Sequence, residues 1–208
     1  MDSTTTILFV RHGKISNPQQ IYYGRLPGFP LSEEGCNQAR AAATFINRYH
    51  IWEIYCSPLL RARQTAKIIA QLINRTRNLH ISRLLNDSLT PFDGCPLTDV
   101  TSRNWDIYSG IDDPRYEQPD AILRRTLRLF FRIRNLHSGQ RVVVVGHGDP
   151  LAFSILWAMK EPITPEPTKQ FERLGFPESY PATASVSIFT YSTTSVDEIP
   201  NYEYVKPY

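Results

Sequence analysis

Residues 142–148 read Val142-Val143-Val144-Val145-Gly146-His147-Gly148, four β-branched residues followed by a histidine between two glycines. A short apolar run with no polar alternation predicts a strand buried on both faces of a parallel sheet. Residues 7–13, Ile7-Leu8-Phe9-Val10-Arg11-His12-Gly13, have the same form, with a strand over Ile7–Val10 ending in arginine, histidine and glycine. Trp52–Cys56 predicts a further strand, which runs into Ser57-Pro58-Leu59-Leu60-Arg61.

Helical patterns separate these strands. Ser32 reads as an N-cap, with Glu33 and Glu34 placed well against the helix dipole, opening a helix to about Tyr49 whose apolar stripe is Ala39, Ala42, Ala43 and Ile46. Ser57-Pro58 predicts a cap and a first-turn proline for a helix to about Asn74, and Asp149-Pro150 predicts the same for a helix to about Lys160. Asn78–Ser82 is a third strand candidate, Asp120–Leu136 a helix, Ala184–Tyr191 an alternating strand and Tyr202–Val205 an edge strand. Alternating strands and helices predict an α/β three-layer sandwich with a largely parallel central sheet. The stretch from about 86 to 120, rich in Pro, Gly and Asp, reads as a lid-like insertion with room for one short helix, inside a single domain spanning 1–208.

Composition narrows the function classes. A chain of 208 residues suits one substantial domain, able to bury roughly 70% of its unfolded surface without staples. Hydrophobic residues at 41% and charged residues at 21% exclude wholesale disorder. A net charge of +3 is too small to imply a nucleic-acid or membrane partner. Arg far outnumbers Lys, which suits bidentate contact with phosphate or carboxylate. Cys36, Cys56 and Cys95 show no CxxC spacing, so neither a disulfide framework nor a zinc site is expected, and a reducing compartment fits better. The start, MDSTTTILFV, reads as neither a signal nor a transit peptide, and no apolar stretch approaches a membrane span. A cytoplasmic location is the expectation.

The chemistry converges from three strand ends. In an open α/β sheet the crevice beyond the carboxyl ends of the strands is where ligands bind. His12, His147, Arg11 and Arg61 are therefore expected to meet in one cleft, with Arg61 in a helix first turn whose free N–H groups favour an anion. Such a site suits phosphate: arginines clamp its oxygens, a neutral imidazole attacks phosphorus, and a second, protonated imidazole stabilises the transition state. Gly146-His147-Gly148 mimics the start of a dinucleotide fingerprint, but Leu151 stands where its third glycine belongs. His50, His80 and His137 have no matching context. Arg124, Arg125, Arg128, Arg132 and Arg134 lie opposite Leu123, Leu127, Phe130 and Ile133 and read as a solvated helix face. Tyr22, Tyr23 and Phe29 fit either the cleft mouth or packing within their own loop.

ILFVRHG at 7–13, SPLLRARQTA at 57–66 and VVVVGHG at 142–148 resemble, in order, the motifs of the histidine phosphatase superfamily, the phosphoglycerate-mutase-like or RHG phosphatases. Leu31-Ser32-Glu33-Glu34-Gly35, then Gln38-Ala39, and the strand Ala184–Ile188 add to a similarity spanning about residues 7–190. The resemblance implies His12 as a nucleophile forming a phosphohistidine, with Arg11, Arg61 and His147 as the phosphate pocket. Gly148 completes the last motif. Asn17 matches an asparagine that often touches phosphate, one residue closer to the motif than in the mutases, and Arg25 matches a loop position that often faces substrate. No metal or organic cofactor is implied, and the partner is a small phosphorylated substrate.

The general acid is where the pattern departs. The family carries approximately Leu-x-Glu, three residues, Gly, one residue, Trp-Glu-Gly. Anchoring on Leu84 and on Phe92-Asp93-Gly94 places Asn86 at the acid position, and an amide cannot donate that proton. A one-residue shift brings in Asp87, the expected acid; Asp93 is second, and Asp149 is expected to cap its helix. The implied activity is a phosphomonoesterase. A phosphoglycerate mutase-type phosphotransferase and a low-activity phospho-ligand-binding pseudo-enzyme are the alternatives. The phosphoester and the oligomeric state are not legible.

Overall fold

The computed structural model describes residues 4–74 and 79–208, apart from the side chains of residues 168 and 169. Strand β1 (Thr5–Arg11), β2 (Ile51–Cys56), β3 (Leu79–Ile81), β4 (Arg141–Gly146), β5 (Val186–Tyr191) and β6 (Asn201–Val205) form one sheet in the order β3-β2-β4-β1-β5-β6. The first four are mutually parallel, and β5 and β6 join antiparallel at one edge. Asn78, the first residue of the third strand candidate, lies outside the described residues.

Strand geometry sends successive side chains to opposite faces, and β1 and β4 bury both. Ile7, Phe9, Val142 and Val144 pack on one side, with α4 (Pro119–Leu136) and α5 (Gly148–Ala158). Leu8, Val10, Val143 and Val145 pack on the other, with α1 (Glu33–Ile46) and α2 (Leu60–Leu72). This is the three-layer sandwich that the sequence predicts. The Ser32 cap is as expected: its hydroxyl accepts from Gly35 N–H at 3.0 Å.

Two caps differ from expectation. Leu59, not Ser57, precedes the first turn of α2; Ser57 Oγ instead accepts from Leu59 N–H and reaches His147. His147 precedes α5, so Asp149 sits inside the first turn and its carboxylate is turned toward hydroxyls of other segments. A further helix, α6 (Pro167–Arg173), follows the Pro-rich stretch where none is predicted. The segment near 86–120 holds only α3 (Leu97–Thr101) and lies over the strand ends as a roof.

The arginine face of α4 is also less solvated than its pattern suggests. Arg134 is 2% exposed and donates to Thr193 O, Ser195 O and Glu198. Arg125 donates to Leu84 O and pairs with Glu117.

Candidate active site

Pairing register makes the strand ends coincide. Arg11 is opposite Gly146, and Cys56 is opposite Val145. The chain then stays bonded across the ends: His12 N–H donates to Gly146 O at 2.9 Å, and Ser57 N–H to Val145 O at 3.0 Å. His12, Ser57 and His147 therefore leave the sheet side by side, and the two imidazole centroids are 5.2 Å apart.

Gly13 and Gly35 explain two of the motifs physically. A Cβ on Gly13 would lie 2.4 Å from Gly35 O, and one on Gly35 would lie 1.9 Å from Lys14 O. The turn after His12 packs directly on the start of α1, and only two bare backbones fit. Gly148 is held by similar crowding, since a Cβ there would meet the Tyr180 hydroxyl at 2.4 Å.

His12 is 1% exposed. Its Nδ1 lies 2.8 Å from Gly13 O; a carbonyl can only accept, so Nδ1 carries the proton and Nε2 keeps its lone pair. Arg61 Nε donates to that Nε2 at 3.3 Å. Burial, then the Arg61 and Arg11 cations, hold the His12 pKa well below the usual 6.5. The imidazole is thus a neutral base at pH 7, as a nucleophile requires.

Arg61 is 1% exposed. Its Nη2 donates to Gly24 O at 2.6 Å and to Asp87 Oδ2 at 2.8 Å, and its guanidinium lies 4.7 Å from the Tyr23 ring centroid. Asp87 Oδ2 is also 3.4 Å from His147 Nδ1. Burial pushes the Asp87 carboxyl pKa up, against the pull of Arg61 and with the help of Asp149. Asn86, which strict alignment favours as the acid position, turns to Ser57 Oγ at 3.5 Å. Asp93 accepts from Arg25 N–H at 2.9 Å, so the roof places Asp87, not Asp93, beside the two histidines.

His147, expected to be protonated when it stabilises the transition state, is as buried as His12. Burial, Arg61 and then His12 hold its pKa well below 6.5, leaving it neutral at pH 7. Its Nε2 meets Ser57 Oγ at 2.8 Å, while Nδ1 is buried without a hydrogen-bond partner. Arg11 has the same character: Nη1 donates to Pro181 O at 2.6 Å, and Nε is buried and unbonded. Unsatisfied buried polar atoms are uncommon and costly. Two such atoms, Arg11 Nε and His147 Nδ1, belong to side chains that flank His12.

Two expected contacts are not brought to this cluster. Asn17 Nδ2 donates to Ile21 O at 2.9 Å, closing its own loop, and Asn17 does not line the cavity. Arg25 donates to Asp87 O at 2.7 Å and pairs with Glu117 at 2.5 Å, which places it behind Asp87 as a brace. Sequence reading missed Glu117, the carboxylate that gathers Arg25, Arg125 and Leu89 N–H, because Arg25 lies 92 positions away and Leu89 offers only its backbone. It also missed the tyrosines around Asp149, whose carboxylate accepts from Ser88, Tyr108 and Tyr180 hydroxyls.

A cavity of about 670 Å³ opens above His12, lined by Arg11, Tyr22, Tyr23, Asp87, Gly148 and Tyr180 among others. Among the described residues no group of three or more His, Cys, Asp or Glu side chains could hold a metal ion, and no helix is long and apolar enough to cross a membrane.

Residues 7–195 match the histidine phosphatase superfamily, branch 1. The chain belongs to that superfamily. It is 47% identical over 70 residues to an uncharacterised protein of Mycobacterium tuberculosis, an alignment covering 34% of this chain and 35% of that one. It is 29% identical over 151 residues to the uncharacterised phosphatase PhoE of Bacillus subtilis, covering 69% of this chain and 72% of the relative. In fold it is similar to the native structure of mycobacterial glucosyl-3-phosphoglycerate phosphatase, with a TM-score of 0.75, 20% identity and 97% of each chain covered. Membership of the superfamily and the phosphoglycerate-mutase-like fold are therefore as the three motifs imply.

Proposed function

We propose that the protein is a metal-independent phosphomonoesterase that works through a phosphohistidine on His12. The observation that carries this reading is the His12 ring itself. Nδ1 is pinned to Gly13 O, Nε2 faces the Arg61 guanidinium, and the Arg11 Nε and His147 Nδ1 atoms nearby lack partners. A phosphate group in that position would satisfy them while presenting phosphorus to Nε2. Its dianion would also reverse the local charge, drawing protons toward His147 and Asp87.

In the first step the Nε2 lone pair forms the N–P bond as the ester P–O bond breaks, and Asp87 gives its proton to the leaving alkoxide. Arg11, Arg61 and His147 hold the charge on the phosphoryl oxygens. In the second step water attacks phosphorus, its proton passes to the Asp87 carboxylate, and the N–P bond breaks to release inorganic phosphate and neutral His12. Asp87 is positioned for both transfers by the Arg61 contact and by Arg25 and Arg125, which donate to its own carbonyl at 2.7 and 3.1 Å.

The test is an acid quench of the protein with p-nitrophenyl phosphate in the presence of EDTA. Turnover and an acid-labile phosphate adduct are expected, and both should vanish in His12→Ala, with a loss of roughly a thousandfold or more. Normal turnover by a folded His12→Ala protein would end the proposal, as would a strict need for added Mg²⁺ or Mn²⁺. Transfer of the phosphoryl group to an added phosphoglycerate faster than to water would favour the phosphotransferase reading instead.

A further inference from the structure

The upper cavity differs in character from its floor. Tyr22, Tyr23, Tyr180 and Trp105 line it with Leu97, Ile107 and Pro167, while Thr101, Asn104, Ser179 and Glu172 supply polar groups at the rim. Arg11 is the one Lys or Arg among the described side chains of that lining, and it belongs to the floor, 5.0 Å from the Tyr180 ring centroid. Other nearby arginines are engaged elsewhere: Arg25 with Glu117, and Arg103 with Asp106 O and Ser109 O. Asp87, Asp149 and Glu172 are the acidic side chains of the lining.

Trp105 is the unusual element. It is 46% exposed at the cavity rim, and its backbone sits at φ 62°, directly after Asn104 at φ 53°. Left-handed backbone at a bulky aromatic residue is a genuine outlier, and it persists where surrounding structure over-determines it. Here the chain is held back to α3 by Asn104 N–H to Thr101 O at 2.9 Å and Trp105 N–H to Val100 O at 3.0 Å. The tight turn keeps a large, half-exposed indole facing the cavity, where a simple loop would let it turn away.

We propose that Trp105 is a specificity-determining residue, and that the site takes monophosphate esters whose alcohol carries an aromatic or extended apolar face and no second anionic group. The inference rests on the phosphomonoesterase reading for turnover, but its binding half stands apart from it. An aromatic alcohol would lie between Trp105 and the tyrosines, where stacked or edge-on rings attract. A carboxylate or second phosphate would be desolvated against tyrosine faces and near Glu172, where no cation besides Arg11 stands among the described side chains of the lining, which disfavours it.

The test measures binding and turnover separately. Calorimetry would compare 3-phenylpropylphosphonate, which cannot be hydrolysed, with 4-phosphonobutanoate, similar in length but ending in a carboxylate. At least tenfold tighter binding of the phenyl compound is expected, falling to less than threefold in Trp105→Ala. In parallel, kcat/KM for 2-phenylethyl phosphate should exceed that for 3-phosphoglycerate by at least tenfold, and Trp105→Ala should lower the ratio of kcat/KM for 2-phenylethyl phosphate to that for glycerol 1-phosphate by at least fivefold. Equal or inverted affinities for the two phosphonates would overturn the inference, as would a uniform loss on all esters in Trp105→Ala. Selective binding without turnover of any ester would instead overturn the phosphatase reading and leave the specificity of the cavity standing. Trp105→Phe, which keeps an aromatic ring, should restore most of the phenyl preference; failure to do so while the fold is intact also counts against stacking.

Discussion

The floor of the cavity and its roof solve the same placement problem in different ways. On the floor, His12, Ser57 and His147 follow directly from three parallel strands, so one sheet register fixes all three. Backbone hydrogen bonds across the strand ends, His12 to Gly146 and Ser57 to Val145, extend that register into the site. In the roof, only the five-residue α3 and a short 3₁₀ turn at Arg83–Leu85 are regular, and Asp87 is placed by side chains. Arg61 holds its carboxylate; Arg25 and Arg125 hold its carbonyl; Glu117 ties those two arginines together. The lesson is that a rigid scaffold sets His12, Ser57 and His147, while a charge network of Arg61, Arg25, Arg125 and Glu117 sets Asp87.

That contrast can be broken experimentally, starting at the floor. Arg61→Ala removes a phosphate clamp and leaves Asp87 without its partner, and should lower kcat/KM on every ester by roughly a thousandfold. Far-UV circular dichroism would confirm an intact fold. A loss below about tenfold would remove Arg61 from the transition state.

Asp87→Asn tests the roof. It should cost about a hundredfold on alkyl phosphates and less than tenfold on p-nitrophenyl phosphate, whose leaving group needs little protonation. Equal losses on the two ester classes would take Asp87 out of the proton transfer and turn attention to the low-activity, ligand-binding alternative.

The smallest expected effect is on stability against pH. The folded pKa values of His12 and His147 lie below the usual 6.5, so the unfolded chain binds more protons just below that pH. Stability is therefore full above pH 6.5 and falls as pH drops toward the depressed values, by up to about 1.4 kcal/mol per pH unit for each histidine. Asp87, with its pKa raised from 3.8, acts with the opposite sign as its own carboxyl titrates. Urea midpoints at pH 7.5 and 5.5 would read the slope, and His147→Asn should flatten it. A midpoint indifferent to pH in the unmodified protein would mean that the floor histidines are more solvated than their burial implies.

The same division governs how much was legible beforehand. Runs such as Ile7–Val10 and Val142–Val145 are unambiguous because a strand buried on both faces admits only apolar, mostly β-branched residues. Glycines 13 and 35 carry their own signal, since backbone contact leaves no room for a Cβ. The motifs thus determined the α/β sandwich, the superfamily and the convergence of Arg11, His12, Arg61 and His147. Local signals were weaker where two residues competed for one job. Ser57 looked like a cap and serves His147; Asp149 looked like a cap and gathers three hydroxyls.

Only the tertiary structure brought Asp87, rather than Asn86 or Asp93, against Arg61 and His147, drew Asn17 and Arg25 away from the cavity, and turned Trp105 toward it. The reason is physical: a strand end is fixed by periodic backbone bonding that sequence spacing reports. A roof with little regular secondary structure is fixed by buried and part-buried ion pairs between residues 26 to 92 positions apart, such as Arg61–Asp87 and Arg25–Glu117, and no local pattern records them.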